Sequence, residues 1–273
     1  PLVRVTHLGR YTIQAAFCAA VARDALVVAS EAFGAYPRRS YDIVFTDFTE
    51  AVGGMEASGM TFISGESFRS LDRRARDPFF DGQNATLHSI IHEVCHSWWY
   101  DAVGNDTGVD PWIDEPLTEW STWFVLERLR GREAFIRAAT QRAVALPVVA
   151  SNMVPLTTPG WDLSEMQFGI LLYCRGPLLY EALRLTVGEE VLLQALRTWY
   201  TEHSGSEVTR QDWEATFLTL LPEEQRAAFV ATWLDGTEEP VPAILDQILP
   251  KEILKIIRPV QPGAAAAPAE VAP

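Results

Sequence analysis

Residues 92–119 read HEVCHSWWYDAVGNDTGVDPWIDEPLTE. His92 and His96 stand four apart, so on a helix they lie one above the other on one face, a spacing that lets two imidazole nitrogens share one metal ion. Glu93, beside the first histidine, is the residue this arrangement reserves for general-base work on water. After eighteen intervening residues His96 is followed by Glu115, an acidic third ligand at the expected start of the next helix. Two histidines and a carboxylate suit one zinc ion per chain. They leave a tetrahedral position open, which marks a catalytic and not a structural site.

The flanking pattern supports the helix. Leu87, Ile90, Ile91, Val94, Cys95, Trp98 and Trp99 recur at helical spacing, which buries one face and sets His92, Glu93 and His96 on its border. His88, also four before His92, has no acid after it and reads as a solvated histidine or one behind the ligands. Asp114 is the expected N-cap of the following helix, with Pro116 tolerated in its first turn and Gly131 as its stop. Glu119, one turn beyond Glu115, is placed to accept the second ring proton of a ligating histidine; an exposed helix carboxylate is the alternative.

Upstream, an Ala-rich helix is expected over 11–33, interrupted by Arg23 and Asp24 and therefore not membrane-spanning. A strand over 41–48, a turn at Gly53 and a strand over 60–64 follow, then a polar stretch, 66–83, expected to loop along one side of the cleft. Helical patterns dominate after Gly131, including 188–200 and 211–221. Tyr173 falls in a helical stretch, 168–185, which Gly176 and Pro177 are expected to break or kink just after the tyrosine.

Twenty-two basic residues against thirty-six acidic ones give a net charge of −14, which argues against nucleic acid and anionic membranes as partners. A hydrophobic content of 48% over 273 residues can bury a sizeable core. Cys18, Cys95 and Cys174 are widely spaced in apolar surroundings and read as buried thiols.

The chain resembles the gluzincin metallopeptidases of the aminopeptidase N type, and most closely a bacterial branch of them, on three motifs in family order. The first is Gly53, Gly54, Met55, Glu56 and Ala57, where the family has Gly-x-Met-Glu-Asn; the second is HEVCH, eighteen residues and Glu115; the third is Tyr173, Cys174, Arg175 and Gly176, where the family has Tyr-x-Lys-Gly. The resemblance implies an α+β, thermolysin-like catalytic domain. It would have a mixed α/β lobe over 1–130 and a mainly α-helical lobe over 131–258, while the Pro- and Ala-rich composition of 259–273 reads as a disordered tail or linker. It also implies peptide substrates with a free N-terminus, held by the Gly53–Gly54–Met55–Glu56 segment with Glu56 on the α-ammonium, and Tyr173 as the donor to the reaction's oxyanion. Family members carry an N-terminal β-rich domain, which this chain is expected to lack. A zinc endopeptidase or related hydrolase, and a non-catalytic scaffold, are the alternatives to an aminopeptidase.

Overall fold

The computed structural model describes residues 1–46, 53–64, 82–146, 153–237 and residue 247. The polar stretch expected over 66–83 lies outside them except for its last two residues, as does the tail over 259–273. Alternation in short apolar runs builds a four-stranded sheet, ordered β1-β2-β4-β3. The strands are β1 (Leu2–Thr6), β2 (Ser40–Thr46), β3 (Gly54–Ala57) and β4 (Met60–Ser64). In β2, Tyr41 and Ile43 point inward while their neighbours stay half-buried, the period-2 pattern of a strand covered on one face. β1, β2 and β4 run parallel, and β3 returns antiparallel on β4 with Glu56 opposite Thr61. The motif around Gly53 is therefore an edge strand, not only the expected turn.

Helix α1 (Thr12–Phe33) covers the sheet. Its stripe of Cys18, Ala22, Ala25, Leu26 and Ala29 is almost fully buried, because alanines let α1 approach its neighbours closely. The segment Gly9–Phe33 is long and apolar enough to cross a membrane by length and composition. Here its buried side packs on α2 (Gly82–Cys95), α3 (Pro111–Arg130) and α7 (Glu189–His203). α3 packs in turn on α2, α4 (Arg132–Ala143) and α6 (Gly176–Val187). Fully buried Trp98, Trp99, Trp120 and Trp123 fill the space among them.

Two short strands that the sequence pattern did not disclose, β5 (Val103–Asn105) and β6 (Ser206–Val208), pair in parallel. α8 (Arg210–Phe217) follows, capped by Thr209, whose hydroxyl accepts from Asp212 N while the Asp212 side chain accepts from Thr209 N. α9 (Glu223–Trp233) closes the described region.

Helix α3 starts four residues earlier than expected. Pro111 occupies its first turn after Asp110, which makes Asp114 a buried residue of the helix and not its N-cap. Asp114 instead accepts Asn105 Nδ2 at 2.9 Å. Pro116 consequently sits inside the helix, beyond the first turn. α5 (Glu165–Ile170) and α6 are joined by a π-helical turn, Leu171–Arg175, in which Gly176 N donates to Leu171 O. The distortion contains Tyr173 and does not follow it, a correction to the expected break. Its cause is local: Pro177 has no amide to offer the Tyr173 carbonyl four residues back.

Candidate active site

Helix α2 delivers His88, His92 and Glu93, and the turn that continues from its end delivers His96, whose N still donates to the His92 carbonyl; α3 delivers Glu115 and Glu119 from across the interface. His92 Nε2 and His96 Nε2 are 3.2 Å apart, and Glu115 Oε2 lies 3.3 Å from the first and 3.6 Å from the second. Each imidazole uses its other nitrogen as a donor. His92 Nδ1 donates to Glu119 Oε2 at 3.1 Å and His96 Nδ1 to the Trp99 carbonyl at 3.0 Å. With those hydrogens committed, the two Nε2 atoms turn lone pairs toward one another and toward a carboxylate, an arrangement that needs a cation between them.

Zinc fits that space. Tetrahedral bonds of about 2.0–2.1 Å hold neighbouring donor atoms about 3.3–3.4 Å apart, close to the spacings here. Glu115 Oε2 is buried and has no hydrogen-bond partner among the described residues. Electrostatics agree: burial alone would lower the His92 pKa, but Glu115 and Glu119 outweigh it and hold the ring at about 9, while the two histidines hold Glu115 well below the carboxylate range against its burial. Without a metal ion the cluster attracts a proton.

Glu93 is buried beside this triad, and its Oε2 also lacks a hydrogen-bond partner among the described residues. Burial, reinforced by Glu56 and Glu115 and opposed by His92 and His96, raises its pKa to about 7. The backbone of β3 presses on it: a β-carbon at Gly54 would stand 2.5 Å from Glu93 Oε1. Two residues on, Glu56 brings its carboxylate within 4.8 Å of ligand atoms of Glu93 and His96. Gly53 backs onto Ser89, and Met55 is half-exposed.

Tyr173 reaches the same place from the π turn, with its ring 5.7 Å from that of His92. Burial, then the charge of Glu115, raises its phenol pKa well above the ordinary value, so the hydroxyl remains a donor.

Glu119 is fully buried and collects four partners. Besides His92 it accepts His88 Nε2 at 2.9 Å, Trp123 Nε1 at 2.9 Å and Arg142 Nε at 2.8 Å. Arg142 also stands 5.7 Å from the centre of the Tyr173 ring and so touches both the ligand support and the phenol. Nothing in its local pattern singles it out, because an arginine in TQRA on a polar helix reads as solvated. Only its packing against Glu119 discloses it.

Arg175 and Cys95 take no part in this cluster. Arg175 is buried and donates to the carbonyls of Thr232 and Gly236, which ties the π turn to the end of α9. Cys95 is fully buried, and burial raises its thiol pKa.

Residues 18–233 match the peptidase family M1 domain. The chain belongs to peptidase family M1. Over 223 residues it is 25% identical to Aminopeptidase 2 of Candida albicans, covering 77% of this chain and 22% of that protein. Yeast LTA4 hydrolase in complex with bestatin superposes with a TM-score of 0.68 at 19% identity, over 84% of this chain and 37% of that one. An M1 zinc metallopeptidase mutant from Deinococcus radiodurans, bound to a Tyr-Ser-Ala substrate, does so at 0.58 and 19% identity, over 86% and 46%. The chain thus has the α+β fold of an M1 catalytic domain and spans about a fifth of the length of the Candida albicans protein.

Proposed function

We propose that this M1 domain is a zinc-dependent aminopeptidase that removes N-terminal residues from peptides. The observation that carries the reading is the convergence of His92 Nε2, His96 Nε2 and Glu115 Oε2 within 3.2–3.6 Å, with Glu93, Glu56 and Tyr173 gathered around them. His92, His96 and Glu115 would hold the zinc, which when bound would supply Lewis acidity to the scissile carbonyl and to water at neutral pH.

The chain's own residues do the rest. Glu119 and the Trp99 carbonyl fix the tautomers of the two histidines, keeping both Nε2 lone pairs on the metal side. Glu93, unpartnered at Oε2, accepts the proton of the attacking water and returns it to the leaving amine. The Tyr173 hydroxyl, held protonated by burial and by Glu115, donates to the oxygen that gains negative charge as the carbonyl is attacked. Glu56 accepts charge-assisted hydrogen bonds from the substrate's α-ammonium, which sets the scissile bond one residue from the amine end. Peptides are the first class to test because the similar Deinococcus protein holds one.

The test is a panel of fluorogenic amino acid amides with free and acetylated amines. Acetylation removes the partner of Glu56, a loss of about 2–5 kcal/mol in a partly desolvated cleft, so the parent should cleave only the free-amine set. Glu56→Ala should weaken cleavage of free-amine substrates and narrow the ratio between the two sets. Equal rates on acetylated and free substrates in the parent would refute the exopeptidase reading and favour an endopeptidase.

A further inference from the structure

We propose that Tyr100 sets the specificity of this cleft, its ring forming one wall of the subsite that receives the substrate's first side chain beside Glu56. The proposal rests on the aminopeptidase reading and refines it.

Helix α2 ends at Cys95, and the chain continues in turns to Asp101, whose N donates back to the His96 carbonyl at 3.0 Å. Tyr100 lies inside this turn in a backbone conformation where glycine is the ordinary residue. Its φ of 113° makes it the only non-glycine with positive φ among the described residues. An L side chain is disfavoured there by crowding with its own backbone, so something else must hold the conformation.

The structure supplies the restraints. Tyr100 N donates to the Val103 carbonyl at 2.8 Å, and Val103 N to the Trp98 carbonyl at 3.0 Å. The next residue, Asp101, accepts Arg38 through two bonds of 2.6 and 2.8 Å and the Ser58 hydroxyl at 2.5 Å. Ser58 lies in the turn between β3 and β4, two residues past Glu56. The contacts that fix the Tyr100 backbone therefore also fix the strand carrying Glu56.

The ring completes the case. It meets the His96 imidazole edge-on at 6.2 Å between centres and leaves 37% of the residue exposed. The Glu56 carboxylate lies within 4.8 Å of a ligand atom of that same His96. Glycine would end the helix with less strain. What glycine lacks is an aromatic face against His96, the histidine that Glu56 also neighbours, and disfavoured backbone held by surrounding bonds is characteristic of functional sites. A flat aromatic wall favours aromatic and long apolar first side chains over small ones.

The experiment compares the full zinc-loaded chain with Tyr100→Gly, Tyr100→Asn and Tyr100→Phe. Cleavage of alanine, leucine and phenylalanine amides is measured, together with calorimetric binding of the matching amino acid hydroxamates, which reads the subsite without turnover. Tyr100→Gly should melt within about 2 °C of the parent, because relief of the backbone offsets the lost ring contacts. Its preference for phenylalanine over alanine should fall about tenfold or more in both kcat/KM and hydroxamate affinity. Tyr100→Asn, which tolerates positive φ, should behave in the same way if the glycine variant folds poorly. Tyr100→Phe should keep the parental ranking. An unchanged phenylalanine-to-alanine ratio in folded glycine or asparagine variants overturns the assignment while leaving the aminopeptidase reading intact. A parent that neither binds nor cleaves any member of the panel overturns both.

Discussion

Replacing Glu119 by glutamine tests the support behind the metal ligands without changing their shape. Oε1 accepts from Trp123 and Arg142, and Oε2 from His88 and His92, so both oxygens face only donors. A glutamine keeps one acceptor and turns its NH2 on the other pair, whichever way it is placed. With the NH2 toward His92, that ring must shift its proton from Nδ1 to Nε2, the atom that faces Glu115 at 3.3 Å. Loss of such a supporting partner typically lowers metal affinity about 10- to 100-fold, or about 1.4–2.8 kcal/mol. Arg142, whose side chain is 37% exposed, also loses its counter-ion, a loss that solvent screening holds to about 1 kcal/mol and, in a chain of this size, about 2–4 °C of melting temperature. Competition with a chelator of known affinity reads the first effect, and thermal unfolding followed by circular dichroism reads the second. A folded Glu119→Gln chain with parental zinc affinity would refute the argument that Glu119 fixes the His92 tautomer.

His96→Ala should abolish stoichiometric zinc binding, checked by metal analysis after dialysis; retention of about one zinc per chain would remove His96 from the ligand set. Glu93→Gln should keep its zinc and its fold but lose nearly all turnover, because an amide cannot take a proton from water, and single-turnover assays on the zinc-loaded variant would show it. Tyr173→Phe should also keep zinc and lose roughly 10²- to 10³-fold in kcat; full activity would return the tyrosine to a packing role. Asp101 offers a pH test. Burial raises its pKa, but Arg38 and Ser58 outweigh burial and leave it depressed, so the Arg38 contact stabilises the fold above the unfolded carboxylate pKa and is lost as pH falls through the lower folded value. The stability gap between the parent and Arg38→Met, about 1 kcal/mol at pH 7, should therefore close below about pH 4 in denaturant titrations.

The candidate metal-binding cluster was legible because its geometry is local. A spacing of four at the end of α2 brings His92 and His96 together, and Glu115 needs only a second helix packed against the first. The residues that complete the cluster were less visible for reasons of distance and length. Arg142 meets Glu119 from 23 positions away, and nothing in its own helix distinguishes it from a solvated arginine. β5 and β6 span three residues each, too short for an alternating pattern to register. The start of α3 was misplaced because Asp114, a good capping residue beside Pro116, competed with Asp110 beside Pro111. Burial of Trp112 and Ile113 inside the helix decides in favour of the earlier proline.

Gly176 packs so closely on Pro116 that a β-carbon there would stand 2.5 Å from the proline ring. Pro116 adjoins Glu115, and Gly176 follows Tyr173 by one turn, so the contact works as a gauge block between the helix bearing the carboxylate and the helix bearing the phenol. In a library saturating residues 173–177, position 176 should accept glycine alone among active clones, even though it never meets the substrate. Any larger residue shims the two helices apart and moves the phenol off its mark.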